Sequence, residues 1–233
     1  MAKHDIVYIL KNNVEPEELR YSLRSIEKNF PHGKVWFYGG CPQGIVPDEY
    51  VFLTQRGGCS WEKVRNTIEQ VCLNDDITKD FWLFNDDFFV MKKVTKIEPM
   101  VQGSLAYRIQ KIRNSHNGDS GYSRQLQKTL ATLKADGLDR LDYALHVPML
   151  INREKALEVI RRYRDVPMFR SLYGNYYHIG GILMDDVKIQ NIKEEPNKDA
   201  KFLSTNDGSF EVGLVGDYIR KQFKEPCRYE VTS

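Results

Sequence analysis

The chain has 233 residues, of which 41% are hydrophobic, 12% aromatic and 28% charged. That length supports one substantial core and is short for two independent domains. The 34 Lys and Arg residues against 32 Asp and Glu give a net charge of +2, which neither requires nor excludes a polyanionic partner.

Targeting and redox features are sparse in this sequence. No run reaches the roughly 18–20 apolar residues that a membrane span needs. The apolar run at residues 6–10 is too short for the core of a signal peptide. The four cysteines show no CxxC spacing, which indicates reduced thiols. These observations predict a cytoplasmic protein without a membrane span.

The first ninety residues alternate strand-like and helix-like patterns. Continuous apolar runs predict strands buried on both faces, and apolar residues spaced by three and four predict amphipathic helices. Ser60 is the expected N-cap of the second helix. The predicted strands are 6–10, 35–38, 50–54 and 80–84, and the predicted helices are 17–30 and 61–73. This succession predicts an α/β fold with an open, mostly parallel sheet flanked by helices.

The remaining sequence is less regular. The polar, basic stretch 108–123 predicts a long loop, and an anionic acceptor such as nucleic acid is one interpretation of the charges over 108–140. A solvated loop is the other reading. Helices are expected at 123–134, 153–163 and 212–223. We interpret 1–233 as a single catalytic domain, with a nucleotide-sugar-binding half at 1–95 and an acceptor-side half at 96–233.

Two adjacent carboxylates interrupt an aromatic run directly after the predicted strand 80–84. In an open α/β sheet, ligands gather beyond the carboxyl ends of the strands, where Asn85, Asp86 and Asp87 would fall. Mg²⁺ and Mn²⁺ prefer oxygen ligands and often use one or two carboxylates together with substrate phosphates. The segment therefore indicates a metal site, the alternative being a turn or a helix cap.

Six short segments, spread in order over nearly the whole chain, resemble the signature blocks of the Stealth family. That family contains bacterial capsular polysaccharide phosphotransferases and the animal N-acetylglucosamine-1-phosphotransferase. After the opening strand the chain departs from the family pattern, with Ile-Leu-Lys-Asn-Asn at 9–13. The matching segments are Asp5-Ile6-Val7-Tyr8, residues 18–28, Phe84-Asn85-Asp86-Asp87, His146-Val147-Pro148 with Arg153, Phe169-Arg170-Ser171, and Asn206-Asp207 with Phe223, Pro226, Tyr229 and Glu230.

The resemblance implies a nucleotide-diphospho-sugar-transferase (GT-A-like) fold and a set of site residues. It implies Mg²⁺ or Mn²⁺ as cofactor and a nucleotide-diphosphate sugar as donor substrate. The compact length points to a glycosyltransferase-like member, of a kind that phages also carry, acting then in the host cytoplasm. The implied catalytic residues are His146, Arg170 and Asp87; the implied donor contacts are Asp5, Arg20, Arg24, Asn66 and Asn85; the implied metal ligands are Asp86, Asp87 and Asp207.

Each implied role has a plainer alternative. His146 fits a general base that deprotonates an acceptor hydroxyl, and it also fits a satisfied core histidine. The planar guanidinium of Arg170 suits a diphosphate, although a surface charge is equally typical of its position. Arg20 and Arg24, one helical turn apart, are either donor contacts or solvated charges. Asp207 fits a metal ligand or a turn residue before Gly208.

The sequence thus predicts a nucleotide-sugar-dependent glycosyltransferase with metal-assisted transfer to an acceptor hydroxyl. The acceptor classes we expect are a polysaccharide or a hydroxylated DNA base, which would have to be flipped out of the duplex. A sugar-1-phosphate transferase is the nearest chemical alternative. A non-catalytic sugar- or nucleotide-binding module is the alternative from another class.

Overall fold

The structure is a computed structural model that describes residues 3–14, 16–54, 56–116 and 120–231. The strands are β1 (Asp5–Ile9), β2 (Val35–Gly39), β3 (Glu49–Phe52), β4 (Asp80–Phe84), β5 (Phe88–Val90), β6 (Met100–Val101), β7 (Met149–Asn152), β8 (Ile182–Leu183), β9 (Lys188–Ile189) and β10 (Phe202–Thr205). The helices are α1 (Pro16–Asn29), α2 (Ser60–Cys72), α3 (Leu105–His116), α4 (Gly121–Ala135), α5 (Arg153–Arg162), α6 (Phe169–Tyr176), α7 (Asp207–Glu211) and α8 (Leu214–Gln222).

The central sheet has five strands in the order β3-β2-β1-β4-β7. The first four are parallel, and only β7 runs antiparallel, against β4. The predicted α/β architecture, an open and mostly parallel sheet flanked by helices, is therefore confirmed. Because β7 comes from residues 96–233 and joins a sheet whose other strands lie within residues 1–95, the two predicted halves share one sheet.

Both faces of this sheet are buried, which explains its continuous apolar runs. On β1, Val7 packs with the cluster beneath α2, α5 and α6, whereas Ile6 and Tyr8 pack with the cluster beneath α1. From α1, Leu19, Leu23 and Ile26 reach that second cluster and are fully buried. Their spacing by four and three places them on one face of the helix.

The start of α2 differs by one residue from the prediction. Cys59, not Ser60, is the N-cap. The carboxylate of Glu62 turns back and accepts from the backbone N–H groups of Gly58 and Cys59, at 2.7 and 3.3 Å. Glu62 is the N3 residue, and its carboxylate binds the backbone of the N-cap residue, as the acid of a capping box does. The helix thus begins one residue before the predicted start.

The predicted loop at 108–123 is wrong. Most of that stretch belongs to α3 and α4, and only 117–119, which include Asn117 and Gly118, lie outside the described residues. Leu105, Ile109 and Ile112 are buried and spaced by four and three, the pattern of one helix face. Interleaved basic residues obscured that pattern. In the part of the chain that the structure describes, no helix is both long and apolar enough to cross a bilayer.

A second, three-stranded sheet in the order β5-β10-β9 packs against the C-terminal helices. Phe89 of β5 stacks on Phe210 of α7 with ring centroids 5.7 Å apart. Val215, Ile219 and Phe223 from α8 and the residue after it complete this small core. The sheet fixes the chain directly after the Asn85-Asp86-Asp87 segment, and thereby the direction in which that segment leaves β4.

Two glycines at the end of β2 seat the segment that follows β1. A Cβ on Gly39, whose φ is +115°, would lie 2.0 Å from the carbonyl oxygen of Leu10. A Cβ on Gly40 would lie 2.4 Å from the carbonyl oxygen of Lys11 and 2.7 Å from that of Asn12. Only glycine permits this approach, so the exit of β1 is held tightly against its neighbour strand.

Candidate active site

A cavity of about 1200 Å³ opens beyond the carboxyl ends of β1 and β4. The first residues after each strand line it, together with the N-terminal end of α2, one side of α3 and α4, and the start of α6. This is the edge of an open α/β sheet at which ligands are expected. Its volume exceeds the roughly 300–1,000 Å³ typical of a single small-ligand site, so it has room for a donor and an acceptor.

His146 lines this cavity, and a carboxylate holds its ring. Nδ1 lies 2.8 and 3.0 Å from the two carboxylate oxygens of Asp186, and the backbone N–H of His146 donates to the same carboxylate at 3.1 Å. Burial opposes the charge on Asp186, but the hydrogen bond and the charge of His146 hold its pKa below the usual value. An ionised carboxylate only accepts, so Nδ1 carries the proton and Nε2 is left for a ligand.

Arg170 braces the backbone on both sides of His146. Its guanidinium donates to the carbonyls of Leu145 and Val147, at 3.1 and 2.6 Å, and to that of Leu83 at the end of β4, at 3.4 Å. Burial lowers its pKa to about 10, so the group remains charged at neutral pH. Arg170 therefore lines the cavity, and the N–H groups named here bind backbone carbonyls.

The two adjacent aspartates point in different directions. Asn85 and Asp86 line the cavity. Asp87 is buried and accepts from the Lys188 ammonium at 2.9 Å and from the Ser204 hydroxyl at 3.1 Å. Its other oxygen, Oδ1, is buried without a hydrogen-bond partner. Asp87 is therefore not among the residues that line the cavity, but it contacts Lys188, which is.

Negative charge accumulates around this segment. Burial, and then the neighbouring charge of Asp87, raise the pKa of Asp86; Asp207 adds to the effect. Glu18, hydrogen-bonded to the Thr205 hydroxyl, has its pKa raised to about 7, mainly by burial and further by Asp87, Asp86 and Asp207. These carboxylates are close enough to oppose one another's ionisation.

That arrangement fits a divalent cation that the protein shares with its substrate. Among the described residues, no group of three or more His, Cys, Asp or Glu is placed to hold a metal ion. The protein would instead supply Asp86, with Asn85 or the unpartnered oxygen of Asp87, and substrate phosphates would supply the rest, as Mg²⁺ commonly requires. Asp207 lies on α7 near enough to act on Asp86 electrostatically, and its role as a ligand stays a prediction.

Three positive side chains also line the cavity. Lys11 follows β1, and Lys63 and Arg65 lie in the first turns of α2. None of the three forms a salt bridge with a carboxylate in the described part of the chain. The guanidinium of Arg65 lies over the Trp61 ring, 5.4 Å from its centroid. Together with the N-terminal end of a helix, these charges suit a phosphate-bearing ligand.

Asp5, an expected donor contact, lies at the opposite edge of the sheet. It is buried at the start of β1 and accepts from Lys34 N–H at 2.9 Å, Trp36 Nε1–H at 3.0 Å and Thr78 N–H at 3.2 Å. Its carboxylate joins β1 to the residues that precede β4 and to the start of β2, and Asp5 does not line the cavity.

Arg20, Arg24 and Asn66 also lie outside the cavity lining. Arg24 forms a two-pronged pair with Glu230, at 2.6 and 2.7 Å, and Arg20 lies 3.2 Å from the same carboxylate. Asn66 donates to the carbonyl of Arg56 at 3.0 Å and accepts from Arg65. The two arginines fasten α1 to the C-terminal segment, and Asn66 supports the start of α2.

Sequence reasoning missed four residues that the structure adds to the site. Asp186 lies 40 positions from His146 and follows an irregular segment, so no local pattern pairs them. Lys63, Arg65 and Lys188 look like ordinary surface charges in the sequence. For Lys63 and Arg65, a usable signal was their place in the first turns of a helix that follows a parallel strand.

Comparison with known proteins yields only loose likenesses. No protein-family model matches the chain, and no curated protein matches it. One solved structure, the galactosyltransferase LgtC in complex with donor and acceptor sugar analogs, is 13% identical with a TM-score of 0.40, covering 72% of this chain and 68% of that chain. An active-site mutant of LgtC is 13% identical with a TM-score of 0.38, covering 80% and 75%. Likeness of this degree carries no inference about activity, and the Stealth resemblance stays a prediction.

Proposed function

We propose that this protein is a nucleotide-sugar-dependent glycosyltransferase with a GT-A-like fold. The observation that carries the proposal is the composition of the cavity described above. It combines a carboxylate-held histidine, an acidic segment at the end of β4 and a cationic wall at the start of α2. These are the parts that sugar transfer from a diphosphate requires: a base, charge compensation for the leaving group, and a site for phosphates.

In the proposed mechanism the nucleoside diphosphate binds along Lys11, Lys63 and Arg65, so that the sugar extends toward Asp86 and His146. A divalent ion bound by Asp86, with Asn85 or Asp87, would neutralise charge on the leaving diphosphate. Nε2 of His146 accepts the proton of the acceptor hydroxyl. Arg170 keeps His146 and the end of β4 in register.

The sequence leaves a sugar-1-phosphate transferase and a binding module as alternatives. The first differs in the atom attacked, which is phosphorus rather than the anomeric carbon, and therefore releases a nucleoside monophosphate. The second would bind a donor without turnover. The acceptor, a polysaccharide or a hydroxylated DNA base, stays an expectation from the sequence.

A panel of nucleotide sugars separates these functions. The protein is incubated with each donor and Mn²⁺, and the released nucleotide is identified by mass spectrometry; chelation with EDTA tests the ion requirement. We expect a nucleoside diphosphate from one or a few donors. A nucleoside monophosphate would establish sugar-phosphate transfer instead, and tight donor binding without release under any condition would favour the binding module.

A further inference from the structure

The pairing of His146 with Asp186 has a stereochemical consequence. Glycosyl transfer from a nucleotide sugar either inverts or retains the configuration of the anomeric carbon. Direct displacement, which inverts, needs a base for the acceptor hydroxyl. Retention needs either a protein nucleophile that forms a covalent intermediate, or a leaving group that itself takes the acceptor proton. The site can therefore be examined for a base and for a nucleophile.

Several contacts hold the proposed base, His146, in one position. Three contacts from the ring and backbone of His146 converge on the Asp186 carboxylate, at 2.8, 3.0 and 3.1 Å. Arg170 binds the carbonyls immediately before and after His146. The Phe88 ring lies edge-on to the imidazole, with centroids 6.2 Å apart. The ring is thus fixed in orientation and tautomer while remaining 29% exposed, as a base requires.

The lining of the cavity offers few side chains that could act as a nucleophile. In the described lining of the cavity, Asp86 is the only carboxylate. In the proposed function this carboxylate is a ligand of the divalent ion. A cation that compensates the charge would also occupy the oxygens that a nucleophile needs. The residues around the cavity thus provide a base and lack a free carboxylate for a covalent intermediate. The other retaining route, in which the leaving group takes the acceptor proton, has no use for a base held in this way, so the geometry favours direct displacement.

We propose that Asp186 is the positioning residue of a general base, His146, and that sugar transfer consequently inverts the anomeric carbon. The proposal rests on the proposed glycosyltransferase function. In the step, the acceptor oxygen forms a bond to the anomeric carbon as the bond from that carbon to the phosphate oxygen breaks. The leaving diphosphate keeps the electron pair, and the hydroxyl proton passes to Nε2 of His146.

The product's anomeric configuration tests the proposal. An α-linked donor that the panel identifies is incubated with methanol, and real-time ¹H NMR follows the methyl glycoside, or the free sugar released to water before it mutarotates. We expect the β-anomer. An α-product accompanied by nucleoside diphosphate would overturn the proposal and leave the proposed function standing, whereas release of nucleoside monophosphate would overturn the function itself.

Asp186→Asn tests the positioning role, with its exposed neighbour Asp185→Asn as the matched control. We expect kcat to fall by about 10²–10³-fold, within the range of general-base catalysis, with little change in donor KM. The charged groups that act on the carboxylate of Asp186 are His146, Arg108, Arg170 and Asp142, and Lys188 lines the same cavity. Losing one negative charge disfavours the protonated imidazole, so the acidic limb of kcat/KM should move to lower pH.

A merely structural role for Asp186 predicts a different result. In that case the variant would lose thermal stability and turnover together, and the acidic limb of the pH profile of the remaining activity would stay in place. His146→Ala provides a second check, since it removes the base without removing the carboxylate. Turnover within a factor of two of wild type in either folded variant would overturn the proposal.

Discussion

Arg170 lines the candidate cavity, but its guanidinium makes contacts other than the ones the sequence predicts. The motif placed an arginine at the active site because its planar donors suit a diphosphate. In the structure those donors bind the carbonyls of Leu145, Val147 and Leu83. A buried backbone carbonyl without a partner is costly, so the arginine is needed for the shape of the site.

We expect Arg170→Lys to lower both stability and turnover. Lysine keeps the charge but cannot reach three carbonyls on two segments at once. The free energy of unfolding should fall by about 1–3 kcal/mol, with a larger loss in kcat than in donor affinity. Chemical denaturation and steady-state kinetics measure both effects. Arg162→Lys, on the surface, is the control; equal behaviour of the two variants would contradict the bracing role.

Arg24 and Arg20 form a matched pair for a second prediction. Arg24 is 11% exposed and makes two bonds to Glu230 and two to backbone carbonyls, whereas Arg20 is 36% exposed. We expect Arg24→Ala to cost about 2–3 kcal/mol of unfolding free energy and Arg20→Ala less than about 1 kcal/mol. Neither should change donor KM. If either variant raised the donor KM and kept its stability, the donor contact that the sequence predicts would be supported instead.

At the scale of elements, the exit of β1 depends on its neighbour β2. A Cβ on Gly40 would lie 2.4 Å from the carbonyl oxygen of Lys11, so alanine there must push the cavity-lining segment aside. We expect Gly40→Ala to destabilise by more than about 2 kcal/mol and to weaken nucleotide binding. Gly121→Ala, where a Cβ meets nothing within 4 Å, is the control. Thermal unfolding of both variants checks this, and equal melting temperatures would refute the close packing.

The elements of the central sheet were largely predictable because each obeys one clear period. β4 was predicted at its observed bounds, and β1, α1 and α2 within two residues. The misses have physical reasons. The buried face of α3 is narrow and surrounded by basic residues, and β5, β9 and β10 are short strands whose pairing depends on distant segments. Of the residues that the sequence predicts for the site, Asn85, Asp86, His146 and Arg170 line one cavity, and their roles stay predictions. The pairing of His146 with Asp186 arises only from the tertiary fold.

At the scale of the whole molecule, the clustered carboxylates make stability depend on pH. Glu18 has its pKa raised from 4.5 to about 7, mainly by burial, so the folded state keeps this proton where the unfolded state has lost it. The contribution of Glu18 to stability is therefore greatest below the unfolded pKa and falls as pH rises from about 4.5 to about 7.

We expect Glu18→Gln to remove this part of the pH dependence. The variant should gain stability relative to wild type as pH rises from 5 to 8, because an amide has no charge to develop beside Asp86 and Asp87. Denaturation at several pH values measures the difference, and the exposed Glu27→Gln is the control. A difference between variant and wild type that does not change with pH would contradict the raised pKa.

We propose that sugar transfer takes place in the cavity at the carboxyl edge of the sheet. The most direct measurement is the rate at which nucleoside diphosphate is released from the preferred donor by wild type, Asp86→Asn and Asp185→Asn. We predict a loss of at least about 100-fold for Asp86→Asn, whose carboxylate lines the cavity, and an unchanged rate for Asp185→Asn. Equal rates for a folded Asp86→Asn and wild type would contradict the account.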